Sequence, residues 1–291
     1  MSAKPCSIAI QGLMAVDFSG LNWATHGRLV NYNQPNPAEK DISTWLIQNP
    51  QRVNLARIGF DFGGKTINET RLGSKFQTLD LWTGRISSSF VYDGQAVEVE
   101  TYCHPQKDVL GIHVKSALLD SAAMGISFDF PYPNRNKFDA PFVGVWDDAA
   151  HHNASGNFTN HEVAIAHDVD GSRYYLAARW DADGRVAAPP PGKTRHVLTF
   201  SGPELKMAIG FGPAENVAMA TYAEVAAESE RAWKEYWEDG AFVDLTSVKS
   251  PNATELQRRI ILSQYLMMVN SASSNPPQGT MLVAPSRRLA R

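Results

Sequence analysis

The feature that most constrains this chain is a pair of Asp-Gly steps, Asp93-Gly94 and Asp170-Gly171, each set between runs of alternating apolar and polar residues. Asp-Gly supplies the positive φ angles of a tight type I′ turn, and period-2 alternation marks strands with one face buried, so each step predicts a β-hairpin. The first joins the run ending at Tyr92 to one running through Tyr102; the second joins His161–Val169 to Ser172–Trp180. Two further antiparallel pairs are expected: Arg195 to Phe200 with Leu205 to Phe211 through Ser201-Gly202-Pro203, and Val109 to Leu118 with Ala123 to Phe130 through Leu119-Asp-Ser-Ala. Hairpins from about Arg52 to Phe211 with no helix between them predict a large antiparallel sandwich, not a doubly wound sheet.

Beyond Pro213 the pattern changes. Thr221-Tyr-Ala-Glu224 has capping-box spacing, the stretch to Glu238 is rich in Ala and Glu, and Gly240 stands just past its end, so a helix is expected there. Trp233, Tyr236 and Trp237 fall on one face of it and read as packing against the sandwich, with sugar stacking as the other use of such a face. A second capping box, Thr254-Glu-Leu-Gln257, opens another helix that is almost wholly apolar from Ile260 to Val269. A helix apolar on every side requires neighbours on every side.

At 291 residues the chain suffices for about two domains of ordinary size, and 43% hydrophobic with 20% charged residues is a globular composition. A net charge of -3 leaves no basic excess for phosphate, which argues against a nucleic-acid partner. No run of 18 apolar residues occurs, which argues against a membrane span. Cys6 and Cys103 allow at most one disulfide. Met1 to Val16 makes a poor secretory signal, yet four N-glycosylation sequons are present, at Asn68, Asn153, Asn157 and Asn252.

Three formal motifs compete with plainer readings. Gly59 to Thr66 satisfies the phosphate-loop pattern, but Ile67 to Gly73 is too short and too polar for the helix that must follow, and Asp61 would repel an anion; a glycine-rich turn between strands is expected. His151, His152, His161 and His167, with Asp147, Asp148 and Asp168 nearby, match no metal-ligand spacing, and the sequence His151-His-Asn-Ala-Ser-Gly-Asn157 reads as an exposed polar loop. Asp147 or Asp148 with Glu162 or Asp168 could supply the two carboxylates of glycosidic-bond chemistry.

Three stretches carry a family resemblance: Leu21 to Pro37 (Leu-Asn-Trp-Ala-Thr-His-Gly-Arg-Leu-Val-Asn-Tyr-Asn-Gln-Pro-Asn-Pro), Phe128 to Phe138 (Phe-Asp-Phe-Pro-Tyr-Pro-Asn-Arg-Asn-Lys-Phe) and Arg258 to Gln278, which ends Asn-Ser-Ala-Ser-Ser-Asn-Pro-Pro-Gln. Together they resemble the fungal six-hairpin glycosidases, similar in plan to glycoside hydrolase family 65, over about Asp17 to Gln278. The resemblance implies a galactose mutarotase-like β-supersandwich over 1–212, a linker helix and extended segment over 213–249, and the first helix of an (α/α)6 barrel over 250–291. The family's opening strand and the barrel that follows Pro-Pro-Gln have no counterpart, so a chain truncated before the catalytic barrel is expected, with no catalytic residue to transfer. Asn275, Gln278 and Trp146 are the positions expected near a sugar; no cofactor or metal is implied, and the parent family is secreted. The function expected is the non-catalytic sandwich portion of a carbohydrate-active glycoside hydrolase. Two alternatives stand beside it: a carbohydrate-binding module stacking sugars on Trp82, Trp146 or Trp180, and a mutarotase-like isomerase using a His and a carboxylate in the sandwich groove. Carbohydrate is the partner in each, and the helix 254–272 is expected to drive self-association.

Overall fold

The computed structural model describes residues 20–33, 41, 54–65, 67–133, 144–146, 151–187, 189 and 193–271. The chain forms two units, Met1–Asn54 with Pro133–Gly144, and Leu55–Tyr132 with Val145–Arg291. In the first, β1 (Gly20–Thr25) and β2 (Arg28–Asn33) form a two-stranded antiparallel ribbon in the register Gly20 to Asn33.

The second unit is an antiparallel sandwich. Its strands are β3 (Arg57–Asp61), β4 (Gly73–Asp80), β5 (Arg85–Tyr92), β6 (Gln95–Cys103), β7 (Val109–Lys115), β8 (Gly125–Asp129), β9 (His152–Phe158), β10 (Glu162–Val169), β11 (Ser172–Trp180), β12 (Gly184–Ala187), β13 (His196–Phe200) and β14 (Glu204–Gly212). Eight form one sheet in the order β4-β5-β6-β7-β14-β11-β10-β9, and four form the other in the order β12-β13-β8-β3. Both expected Asp-Gly hairpins are present: Asp93 and Gly94 have φ of 48° and 77°, Asp170 and Gly171 of 45° and 79°.

The other two expected pairs are not hairpins. After β7, Ser116 caps a single helical turn, α1 (Ala117–Asp120), whose Leu118 and Leu119 are buried, and the chain crosses to the small sheet as β8. After β13, Ser201-Gly202-Pro203 returns it to the large sheet, where β14 pairs with β7 and β11. Both connections hop between layers because each strand carries an apolar face that the opposite sheet must cover. The core lies between the layers: Val97, Val114, Ile165, Leu176, Leu205 and Ile209 from the large sheet meet Ile126, Phe128, Leu198 and Phe200 from the small one.

The glycine-rich stretch after β3 is a turn. Phe62 and Lys65 form an isolated bridge, Gly63 and Gly64 have positive φ, and Asp61 accepts from the Gly64 amide and pairs with Arg195 at 2.8 Å. A strand and a short bridge in place of a helix N-terminus leave no phosphate cradle there.

Helix α2 (Tyr222–Tyr236) opens with the expected capping box, Thr221 and Glu224 bonding reciprocally, and the chain reverses at Gly240, whose φ is 104°. Its inner face crosses the outside of the large sheet, where Val225 is buried against Gly111. The aromatic face packs as expected. Trp237 is 2% exposed and donates from Nε1 to the Leu81 carbonyl, and Ser229 Oγ donates to the Thr83 carbonyl. Trp233 lies so close to Gly84 that an added Cβ would sit 2.3 Å from its ring, and Gly84 itself has φ +72°.

Helix α3 (Ala253–Ser271) begins one residue before Thr254, so the second expected capping box does not exist. Gln257 is engaged elsewhere: its Oε1 accepts from the Leu245 amide at 2.7 Å. A narrow stripe meets α2 through Tyr265, stacked on Trp233 at 5.2 Å, and through the Gln264 carbonyl, which accepts from Tyr236. Leu256, Leu262, Leu266, Met267, Met268 and Val269 are exposed.

Candidate functional site

Across β6, β7 and β14 the register places Glu98, Lys115 and Glu204 in one row and Glu100, His113 and Lys206 in the next. Period-2 alternation puts these residues on the outer face of the large sheet, beside the first turns of α2. His113 is the hub. Its Nε2 lies 2.7 Å from Glu204 Oε1 and its Nδ1 lies 3.4 Å from Glu100 Oε2. Tyr222 donates to Glu100 at 3.2 Å and sets its ring edge-on to His113, while Arg85 reaches the other Glu100 oxygen at 3.4 Å. Tyr102 donates to Glu230 on α2 at 3.1 Å. The His113 side chain is 10% exposed, whereas Glu100 and Glu204 are 36% and 47% exposed, so the carboxylates are open to solvent and the imidazole is set behind them.

Charge follows this geometry. The His113 hydrogen bond holds the Glu204 carboxyl below the usual carboxylate range, with Lys115 and Lys206 adding to it. Burial, then the Glu230 bond, pushes the Tyr102 hydroxyl up to about 12; burial and the Glu100 charge push Tyr222 up as well, so both phenols stay protonated donors. As a neutral ring His113 donates to one of its carboxylates, and as a cation to both. A hollow of about 370 Å³, lined by Ala96, Glu98, Lys115, Ser116, Ala117, Pro203 and Glu204, opens beside Glu204. This arrangement can pass a proton between two oxygen ligands at one sheet face.

Of the two histidines in the stretch expected to be an exposed polar loop, His151 is exposed and His152 is interior. His152 opens β9 with its side chain buried, and its Nδ1 lies 2.8 Å from Nε2 of His167, which is fully buried on β10. His167 Nδ1 lies 2.6 Å from the Tyr174 hydroxyl, and Tyr174 donates to the Leu55 carbonyl. Because that hydroxyl has one proton, the chain has a direction: His152 Nδ1–H to His167 Nε2, His167 Nδ1–H to Tyr174, Tyr174 O–H to Leu55. Burial, then the neighbouring His152, lowers the pKa of His167 to about 4, and burial lowers that of His196 on β13. The polar-loop expectation fails because β9 is pulled into the sheet by its pairing with β10 in the register His152 to Val169, which overrides a sequence poor in strand formers. His161 is exposed, 3.7 Å from Asp183. Among the described residues no three His, Cys, Asp or Glu side chains are grouped to hold a metal ion.

The expected tryptophans separate. Trp180 is core, 6% exposed, and donates to the Asn160 carbonyl, so it offers no face to a sugar. Trp146 is half-buried with the Arg57 guanidinium 4.2 Å over its ring, and Arg57 pairs with Asp129 at 2.7 Å. Trp82 is 43% exposed, edge-on to Phe242 at 6.0 Å. Of the four carboxylates, Glu162 pairs with Arg179 and Asp168 with Arg173; Asp147, Asp148, Asn275 and Gln278 lie outside the described residues. The His113 cluster is not legible in the sequence. Its only trace is the alternation Glu98-Val-Glu100, and nothing in one strand says which histidine stands opposite.

No family model and no curated protein matches the sequence. Among solved structures the chain is similar to a bacterial glucoamylase complexed with acarbose, at 10% identity and a TM-score of 0.47, with 76% of this chain and 35% of that one aligned. It is also similar to a putative kojibiose phosphorylase from the human microbiome, at 8% identity, a TM-score of 0.37, and 67% and 27% coverage. A third likeness is to a family GH92 alpha-mannosidase from Bacteroides thetaiotaomicron, at 9% identity, a TM-score of 0.25, and 59% and 24% coverage. The aligned region spans about a third or less of each of these chains. At such scores the likenesses carry no argument about activity. No described helix is long and apolar enough to cross a membrane.

Proposed function

We propose that this chain is the non-catalytic β-sandwich portion of a carbohydrate-active glycoside hydrolase whose complete form cleaves a glycosidic bond by hydrolysis or phosphorolysis. The observation that carries this reading is the pair of helices after the sandwich. Trp237 and Trp233 key α2 into the β4–β5 turn, and α2 in turn holds α3 with its apolar side chains facing outward. A sandwich that presents such a helix is a platform for a further helical layer, as the stretch from Arg258 to Gln278 implies by its resemblance to six-hairpin glycosidases. Under this reading Asn275, Gln278 and Trp146 are the positions closest to sugar. Purified protein assayed on aryl glycosides and disaccharides, with and without phosphate, is expected to show no turnover. Turnover lost in Asp147→Ala or Asp168→Ala would overturn the reading.

A second reading, mutarotase-like isomerisation, is favoured by one observation, the His113 imidazole set between the Glu100 and Glu204 carboxylates. Opening a sugar ring at its anomeric carbon needs one group to protonate the ring oxygen and another to take the hydroxyl proton. Polarimetry on freshly dissolved aldoses separates the two readings. Accelerated mutarotation that His113→Gln and Glu204→Gln abolish, with the fold intact, selects the isomerase.

A further inference from the structure

The four strands that end the two sandwich sheets are not defended alike. β4 carries Lys75, Asp80 and a register shift between Gly73 and Phe76; β12 carries Arg185; β3 carries Arg57 and Asp61. Charges and bulges of this kind keep an open strand edge from pairing with another chain. β9, at the far end of the large sheet, reads His-Asn-Ala-Ser-Gly-Asn-Phe, with no Lys, Arg, Asp, Glu or Pro. It is also the strand that holds two of the four sequons, Asn153-Ala-Ser155 and Asn157-Phe-Thr159. Asn153, Ser155 and Asn157 alternate with His152 and Ala154, which are buried, so both asparagines face solvent on one side of the strand. Four residues at about 3.3 Å each set them about 13 Å apart, room for a glycan on each.

We propose that Asn153 and Asn157 are paired N-glycan acceptors whose sugars cover β9 in a chain that folds in the secretory pathway, taking the place of the charges this edge lacks. The donor is an oligosaccharide carried on a polyprenyl pyrophosphate. The Asn Nδ2 attacks its anomeric carbon, the new N–C bond forms as the C–O bond to pyrophosphate breaks, the polyprenyl pyrophosphate leaves with the electron pair, and the amide gives up one proton. Neither acceptor is part of the core: Asn153 and Asn157 are both exposed, opposite Asp168 and Ala164 on β10.

The test uses the full chain secreted from eukaryotic cells behind a cleavable leader, carrying Leu266→Ser and Met267→Ser to reduce association through α3, with every comparison made in that background. Peptide mass spectrometry after enzymatic glycan release in heavy-oxygen water is expected to mark both Asn153 and Asn157. Ser155→Ala is expected to lose the first mark and keep the second. Asn153→Gln with Asn157→Gln, which removes both glycans without the aspartates that enzymatic release leaves behind, is expected to turn a monodisperse light-scattering profile into one that grows with concentration. A mark at neither position, or at one alone, overturns the paired acceptors. Both marks, with the Asn153→Gln, Asn157→Gln protein as monodisperse as glycosylated protein, overturn their role as an edge cover.

Discussion

Helices α2 and α3 invert the usual relation between composition and burial. α2 is a charged helix, with Glu224, Glu228, Glu230, Arg231, Lys234 and Glu235 in its sequence, yet it is fixed on the sandwich through Tyr222, Val225, Ser229, Glu230, Trp233 and, at its end, Trp237. α3 carries the run from Ile260 to Val269, yet most of its large apolar side chains are in water. The difference lies in the receiving surface. The sheet beneath α2 is cut back at Gly84 and Gly111 and offers the Leu81 and Thr83 carbonyls as acceptors, whereas the described contacts of α3 are a narrow stripe on α2 and the bond from the Leu245 amide to Gln257. Apolar content creates a demand for cover, and only a shaped partner meets it.

The largest way to break the contrast is Trp237→Ala, which removes a fully covered indole and leaves the Leu81 carbonyl without its donor. We expect a loss of about 3–5 kcal/mol, typical for a large aromatic cut to Ala in a core, read from urea unfolding. Gly84→Ala is expected to loosen the same seam by driving a methyl into the Trp233 ring.

Acid acts on the sandwich core through His167. His167 is neutral in the fold, and its pKa of about 4 lies below that of a free imidazole. The unfolded chain therefore binds more protons between those values, so stability is full above about pH 6.5, falls as pH drops, and levels off below about 4. The loss reaches roughly 3–3.5 kcal/mol, because each tenfold weakening of proton binding in the fold is worth about 1.4 kcal/mol. Protonating His167 at Nε2 also sets its new N–H against the N–H of His152. Thermal melts from pH 7 to 4.5 are expected to show the decline, with a flatter profile in His167→Gln.

Thr221→Ala removes the side chain that accepts from the Glu224 amide and should cost about 1 kcal/mol, with fraying of the first turn of α2 visible in amide exchange. The smallest effect sharpens the contrast instead. Leu266→Ser with Met267→Ser should change unfolding free energy by less than about 0.5 kcal/mol, since neither side chain is covered. The same pair should reduce self-association, as should ending the chain before Ser250, and light scattering compares the three proteins. An association unaffected by either change would place the contact elsewhere than α3.

The parts legible in sequence were those decided locally. Asp93-Gly94 and Asp170-Gly171 fix their own backbone angles, and Thr221 with Glu224 closes its own cap. The connections after β7 and β13 are not legible because a short turn looks the same whether the chain stays in its sheet or crosses to the other, and the choice belongs to the layers. Thr254 with Gln257 had cap spacing, but the Leu245 amide drew Gln257 away. The His113 cluster required the registers of three strands at once, with Glu204 coming from a part of the chain 91 residues beyond its partner.

The position of β14 in the large sheet has a consequence for birth on the ribosome. β4 to β7 and β9 to β11 are each neighbours in sequence and can pair as they emerge, but the strand that joins the two halves is the last to be made. From Lys115 to Gly212 is about a hundred residues, which at about 5–20 residues per second is roughly 5–20 s of synthesis. Throughout that interval the inner margin of β7 stands open, joined by that of β11 once Trp180 has been made, so the nascent chain holds open the two edges that end up at the centre of the finished sheet.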